Sequence, residues 1–129
     1  MDGIMKKLIL LSAISGGILF WSIHIQADNF DCRNAATQIE INQCVQLDFQ
    51  KQDDELNRIY QQYHEKLDNI RKEQLKQAQV VWINFRNLSC QYEADYYQGG
   101  SLAPMVYSSC LKDKTKERIG DLKNYIALY

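Results

Sequence analysis

The stretch LKQAQVVWINFRNLSCQYEADYYQGGS, residues 75–101, decides the fold of this chain. Its apolar and small side chains recur at intervals of three and four residues, which is the period of an α-helix. This stripe consists of Leu75, Ala78, Trp82, Phe85 and Ser89, with Val81 and Leu88 beside it. The paired glycines Gly99 and Gly100 interrupt the pattern, because helices commonly end at a glycine with positive φ. The stretch therefore predicts a long amphipathic helix that ends by Gln98.

A second amphipathic helix is predicted directly after the glycines. Ser101 is a candidate N-terminal cap, and Pro104 suits the first turn because its missing N–H is not needed there. The apolar side of this helix runs through Met105, Ser108, Leu111, Thr115, Ile119, Leu122 and Ile126. Because the connection is short, the two helices are expected to run antiparallel.

A third helix is predicted to precede these two. Thr37 and Glu40 have the spacing of a capping box, which indicates a helix start. The helical period continues through Ile70 with a polar interruption at Asp48, so one rod of about 34 residues or two shorter helices both fit. The charged run Asn69–Glu73 is the candidate turn before the next helix. No strand-like alternation appears, so we predict an all-α fold, an antiparallel bundle of three amphipathic helices.

The N-terminal segment has the composition of a secretory signal peptide. Two lysines precede an apolar run from Leu8 to Ile23, and Ala27 provides a small residue for cleavage. We therefore predict that residues 1–27 are removed and that residues 28–129 form a helical domain in the periplasm or outside the cell, without membrane contact. The rival interpretation keeps the stretch from Leu8 to Ile25, whose 18 residues are near the lower limit for spanning a bilayer, as an uncleaved anchor.

Four cysteines in an exported chain predict two disulfides. Three pairings are possible, and we favour the pairing of sequence neighbours. Cys32 would fold back onto the first helix at Cys44, whereas Cys90 and Cys110 flank the glycine turn on two antiparallel helices. Zinc is disfavoured because the chain has no Cys-x-x-Cys motif and only His64 remains after removal of the leader. We expect no metal and no cofactor.

Composition and charge exclude several functional classes. The 129 residues are 46% apolar and 24% charged, which is typical of a globular domain. The net charge is −1, and −2 without residues 1–27, so the chain has no basic footprint for nucleic acid. His64 has no accompanying nucleophile motif, and the carboxylates are spread along helices as solvating charge usually is. We expect a monomeric protein that is not an enzyme; a weak carbohydrate-active enzyme is the third alternative.

The order of these residues resembles the LprI-type lysozyme-inhibitor family over residues 32–122. In the second half, the resemblance is carried by Ala78-Gln79, Trp82, Phe85-Arg86, Cys90, Gly99-Gly100-Ser101, Cys110-Leu111, Thr115, Arg118 and Leu122. In the first half, it is carried by Cys32, Thr37, Glu40, Asn42, Cys44, Asp53, Leu56-Asn57 and Tyr60. The resemblance implies a small exported helical protein with two disulfides, some of whose relatives inhibit lysozyme. The family includes lipoproteins, but here no cysteine directly follows the apolar run to carry a lipid.

An exported protein that is not an enzyme is expected to act by binding, and its first candidate partner is a protein, lysozyme. The candidate surface precedes the glycine turn and consists of Tyr92, Glu93, Asp95, Tyr96 and Tyr97, because tyrosine is frequent at binding hot spots. Arg86 would either join this surface or bond within the fold, across helices to a carboxylate or to exposed carbonyls near the turn. The rival surface is the acidic run Asp53-Asp54-Glu55, which has no aromatic anchor. The alternative function is an envelope adaptor, chaperone or immunity protein that binds another partner through the same surface.

Overall fold

Three α-helices form the fold of the computed structural model, which describes residues 31–128. The helices are α1 (Gln38–Glu65), α2 (Asn69–Asp95) and α3 (Ala103–Ile126), and a short 3-10 turn at Cys32–Asn34 precedes α1. The short connections make sequence neighbours antiparallel, and α3 packs against both α1 and α2. Residues 31–128 contain no strand. The predicted all-α bundle of three helices is therefore confirmed.

Both disulfides join the cysteines that were predicted to pair. Cys32–Cys44 ties the 3-10 turn to α1 with a Cα–Cα distance of 5.5 Å. Cys90–Cys110 joins α2 to α3 with a Cα–Cα distance of 5.4 Å. Within residues 31–128 no cluster of three or more His, Cys, Asp or Glu residues is placed to hold a metal ion. None of the described helices is long and apolar enough to span a membrane, and the predicted leader, residues 1–27, lies outside the described residues.

The start of α1 has the predicted capping box. The Oγ1 atom of Thr37 accepts a hydrogen bond from the N–H of Glu40, and the Glu40 carboxylate accepts one from the N–H of Thr37 at 2.8 Å. Two of the N–H groups at the helix start are thereby satisfied. The helix then continues without a break past Asp48 to Glu65, so the single-rod alternative is correct and ends earlier than expected.

The turn between α1 and α2 lies earlier than the predicted Asn69–Glu73. The chain turns at residues 66–68, and Asn69 is already helical. Asp68 is the N-cap of α2, and its Oδ1 accepts a hydrogen bond from the N–H of Arg71 at 2.9 Å. The high charge of this run favours a turn, but charged side chains are equally compatible with the capped, solvent-exposed first turn of a helix.

The turn between α2 and α3 depends on Gly99. This residue has φ +81°, in the left-handed region that glycine adopts without steric cost. Ser101 does not cap α3 as predicted; Leu102 is the N-cap residue and makes no side-chain cap bond. The carbonyl of Ser101 instead accepts a hydrogen bond from Nδ2 of Asn42 at 3.0 Å, which ties the turn to α1.

Two apolar clusters fill the bundle. The larger cluster consists of Leu56, Ile59, Tyr63, Leu67, Leu75, Ile119 and Leu122. The smaller cluster surrounds the second disulfide and consists of Cys90, Cys110 and Leu111, with Phe49 and Tyr107 packed against it. Between the two clusters the buried side chains are polar, Gln79 and Arg86 in α2 and Thr115 and Arg118 in α3, so the apolar core is interrupted halfway along the bundle.

This interruption is a layer of bonded polar side chains, which we call the polar layer: Asp53, Gln79, Trp82, Arg86, Thr115 and Arg118. Nη1 of Arg86 donates to Oδ1 of Asp53 at 2.7 Å and to Oγ1 of Thr115 at 2.9 Å. Nε of Arg118 donates to Oε1 of Gln79 at 3.0 Å. The centre of the Trp82 ring lies 5.2 Å from the Arg86 guanidinium and 5.7 Å from that of Arg118. The polar layer therefore connects all three helices.

The core-facing side of α2 differs from the predicted stripe. Its buried residues are Leu75, Gln79, Arg86, Cys90 and Ala94, and Trp82 is partly buried. The expectation that Phe85 packs in the core is wrong, because its side chain is 60% exposed. Three stripe positions shift by one residue, to Gln79, Arg86 and Cys90, while Leu75 and Trp82 keep theirs, so the buried face is rotated by somewhat less than one residue step of about 100°. The hydropathy pattern misassigned the buried face of α2 because the long polar side chains of Gln79 and Arg86 are buried, where they are hydrogen-bonded to other polar side chains.

Candidate partner-binding surface

Two exposed tyrosines form the centre of the predicted surface. Tyr92 and Tyr96 lie one turn apart at the end of α2, and they are 66% and 76% exposed. Their rings meet edge to face with centroids 5.7 Å apart, and their hydroxyl oxygens are hydrogen-bonded at 3.1 Å. This bond, with a smaller contribution from desolvation, raises the pKa of Tyr96 above its usual value. The pair presents apolar ring surface together with polar tips.

The two predicted carboxylates lie on different sides of α2, because residues two apart in a helix do not face each other. Glu93 faces α3, where its Oε1 lies 3.9 Å from Nζ of Lys114. Asp95 accepts a hydrogen bond from Nε2 of Gln91 at 2.7 Å. Asp95 also lines a shallow depression together with Tyr92 and Tyr96. The structure therefore brings Asp95, but not Glu93, to the tyrosine pair.

A second depression adjoins the first at Asp95. It has a volume of about 270 Å³ and lies where the end of α2 meets the start of α3. Its lining residues are Gln91, Ala94, Asp95, Gln98, Gly99, Ala103, Pro104 and Tyr107. Sequence reasoning placed Gln91 in the candidate segment but missed Pro104, which joins the site only through the packing of α3 on α2.

Tyr97 lies apart from the tyrosine pair, in the turn itself. Its side chain is 46% exposed, and its carbonyl accepts a hydrogen bond from the N–H of Gly100 at 2.9 Å. The turn is fixed from two directions, by the Cys90–Cys110 disulfide about two helical turns below and by Asn42 of α1. A surface held in this way loses little conformational entropy when it binds a partner.

Arg86 does not belong to this surface. Its side chain is 7% exposed and lies in the polar layer. Of the two roles considered for Arg86, the structure shows the bond across helices to a carboxylate, that of Asp53. We therefore leave Arg86 out of the proposed contact residues.

The rival acidic run is largely neutralised by cations of the chain itself. Asp53 pairs with Arg86, and Glu55 accepts two hydrogen bonds from Arg58, each at 2.7 Å. The Arg58 hydrogen bond is the main reason why the pKa of Glu55 is lowered to about 2, with a further contribution from Lys123. Asp54 remains exposed. The run therefore offers a cationic partner less charge than its sequence suggests.

Comparison with known proteins identifies the family of this chain. An uncharacterized protein of Rhizobium meliloti (strain 1021) is 35% identical over 106 residues, an alignment that covers 72% of this chain and 76% of the relative. No solved structure gives a significant match. The family model described as lysozyme inhibitor LprI matches residues 32–122, which span the 3-10 turn, both disulfides, the polar layer and most of α3. The chain belongs to the lysozyme inhibitor LprI family.

Proposed function

We propose that this protein is exported and inhibits a lysozyme-type cell-wall hydrolase by direct binding. The match of the lysozyme inhibitor family to residues 32–122 carries the proposal. The chemistry of the surface is compatible with it, since exposed tyrosines and one well-placed carboxylate provide contacts for a protein partner rather than groups for catalysis.

The contact surface in this proposal is the end of the bundle at residues 91–104. Tyr92 and Tyr96 supply apolar contact area, and Asp95 supplies negative charge beside them. Lysozyme is strongly cationic, whereas a net charge of −2 for residues 28–129 gives only slight long-range steering. The attraction must therefore be local, between Asp95 and a basic side chain at the edge of the contact.

A lysis assay tests the proposal directly. The full chain is expressed with its N-terminal segment, purified from the periplasm and titrated against several types of lysozyme acting on cell walls. We expect at least one type to lose turnover near equimolar inhibitor. If every type keeps full activity while the protein retrieves one specific envelope protein, the chain is an adaptor, chaperone or immunity protein and the proposal fails.

Matched charge variants locate the surface. Asp95→Lys and Tyr96→Ala are expected to weaken inhibition strongly, because both side chains line the same depression. Asp54→Lys makes the same change of charge at an exposed position of α1 and is expected to leave inhibition unchanged. Circular dichroism checks that all three variants are folded. Loss of inhibition in Asp54→Lys alone would move the contact surface to the acidic run.

The predicted export is tested by the intact mass of the same preparation. Cleavage after Ala27 gives a chain that begins at Asp28. A mass that includes residues 1–27, with the protein recovered in the membrane fraction, would instead indicate an uncleaved anchor.

A further inference from the structure

One side of α2 carries a continuous apolar stripe that the fold leaves exposed. We call it the outer stripe: Ala78, Val81, Phe85, Leu88, Tyr92 and Tyr96. Its five large side chains are between 60% and 76% exposed. From Ala78 to Tyr92 the intervals are three, four, three and four residues, which is the spacing of a helix seam that meets another helix. Single exposed apolar residues are normal, but a continuous exposed stripe marks an interaction surface.

The surface around the outer stripe is unusually poor in charge. Between Lys76 and Glu93 the only charged residue is Arg86, which is buried in the polar layer. Sixteen consecutive residues of a surface helix therefore expose no charged side chain. The centre of a protein interface has this composition, with charged residues depleted and aromatic residues enriched. A strongly cationic enzyme would find no complementary charge here.

In place of the monomer expected from the sequence alone, we propose that the outer stripe pairs with the same stripe of a second copy of this chain, with the two α2 helices antiparallel about a twofold axis near Phe85. In this register Phe85 meets its own symmetry mate, and Val81 lies opposite Leu88 of the second copy. Tyr92 lies opposite Ala78 of the second copy, so a large side chain faces a small one. Around Ala78 the surface has an open apolar depression of about 670 Å³, which is ample for one tyrosine ring.

The charges at the two ends of α2 favour the antiparallel orientation. The charged residues of α2 that lie nearest the outer stripe are Arg71 at its first turn and Asp95 at its end, about 50° and 70° around the helix from the stripe. Antiparallel pairing places Arg71 of each copy at the same end of the interface as Asp95 of the second copy, whereas parallel pairing would bring like charges together.

The area of the outer stripe is sufficient for a stable dimer. If a buried aromatic side chain contributes about 200 Å² and an aliphatic one about 100 Å², the exposed fractions amount to roughly 500 Å² of apolar surface per copy. A standard interface covers about 800 Å² per partner, of which a little more than half is apolar. The outer stripe and its uncharged flanks match this requirement.

Self-association and target binding would compete for two side chains. Tyr92 and Tyr96 belong to the outer stripe and also to the surface proposed for the hydrolase, whereas Phe85 belongs only to the stripe. The oligomeric state is measured without any hydrolase, so failure of the dimer and failure of the inhibitor proposal are separate results.

The experiment measures the mass of the periplasmic protein in solution by sedimentation equilibrium across the micromolar range. We expect a dimer, and we expect Phe85→Lys to weaken it at least about 100-fold, because two lysines would meet at the twofold axis. Leu88→Lys, at a position that is 72% exposed, should weaken the dimer to a similar extent. Agreement between the two variants would show that the loss of the dimer is not caused by misfolding of one of them. The matched control is Val80→Lys, which is also on α2 and exposed but lies about 120° around the helix from the stripe, and it should keep the dimer.

A mixing experiment tests the register. Phe85→Lys and Phe85→Asp should each be monomeric alone, and an equimolar mixture should form a heterodimer because opposite charges then face each other across the axis. A protein that is monomeric at every concentration overturns the proposal. So does a dimer that survives Phe85→Lys, or a mixture that does not associate. Loss of hydrolase inhibition in Phe85→Lys with a monomeric parent would assign the outer stripe to the target instead.

Discussion

The ion pair between Asp53 and Arg86 is expected to respond asymmetrically when either partner is removed. The Arg86 side chain is 7% exposed and that of Asp53 is 37% exposed. Asp53→Ala leaves a buried guanidinium whose remaining acceptors are the Thr115 hydroxyl and the Asn87 side chain. Arg86→Met leaves a carboxylate that water can reach and keeps an unbranched side chain in the space beside Trp82. Removal of the carboxylate should therefore destabilise the protein more.

The magnitudes follow from the burial of each group. Loss of one partner of a buried pair costs about 3–5 kcal/mol, and because water can partly replace the Asp53 carboxylate we expect about 3 kcal/mol for Asp53→Ala. Arg86→Met should cost about 1–2 kcal/mol, mainly because the fully buried Thr115 hydroxyl loses its donor. The double variant contains neither charge and should also cost about 1–2 kcal/mol, which is well below the sum of the single costs.

Urea unfolding followed by circular dichroism, with both disulfides intact, gives these free energies of unfolding provided that the m-values agree between variants. Asp54→Ala, at an exposed position next in sequence, is the control and should change stability by less than about 0.5 kcal/mol. Equal single costs, the reverse order, or single costs that simply add in the double variant would refute the reasoning.

Three further predictions concern stability. Trp82→Ala should cost about 3 kcal/mol in urea unfolding, since the partly buried ring fills the space between two guanidinium groups; full stability would contradict this packing. The folded-state pKa of Glu55 is about 2 against an ordinary 4.5, so its stabilisation is present above pH 4.5 and is lost as the pH falls towards 2; the Tm should therefore fall further over this range in the parent than in Glu55→Gln. Replacing Cys90 and Cys110 by serine should cost about 3 kcal/mol on the chain-entropy model, and an unchanged Tm would argue against it.

Features with local signals were predictable from the sequence. The capping box at Thr37 and Glu40 and the left-handed residue at Gly99 each depend on a few neighbouring positions. The pairing of Cys90 with Cys110 was favoured because these residues flank the glycine turn on two helices that were expected to be antiparallel, and the structure has this pairing. These signals were sufficient to predict the fold class and to place Tyr92 and Tyr96 beside the turn between α2 and α3.

The rotation of α2 was not predictable from hydropathy. An apolar pattern assigns Arg86 and Gln79 to the surface and Phe85 to the core, and the structure has the opposite arrangement. Burial of the arginine depends on Asp53, which is 33 residues earlier in the sequence, and on Thr115 in the third helix. Such a network appears only when all three helices are placed together, so sequence spacing within one helix cannot indicate it. The separation of Glu93 from Asp95, in contrast, has a local cause, because residues two apart in a helix lie on different sides of it.

The polar layer and the second disulfide together hold α2 in the orientation that exposes its outer stripe. Rotating α2 to bury Phe85 would gain about 1–2 kcal/mol of transfer free energy from that side chain. The same rotation would remove Arg86 from Asp53 and Thr115, at a cost of about 3 kcal/mol or more. It would also move the Cα atom of Cys90 away from Cys110, to which it is held at 5.4 Å by a covalent bond. The orientation that exposes the outer stripe is therefore the stable one. A second copy that covers the stripe would bind a surface that is already formed, so no binding free energy would be lost to a rearrangement of the bundle.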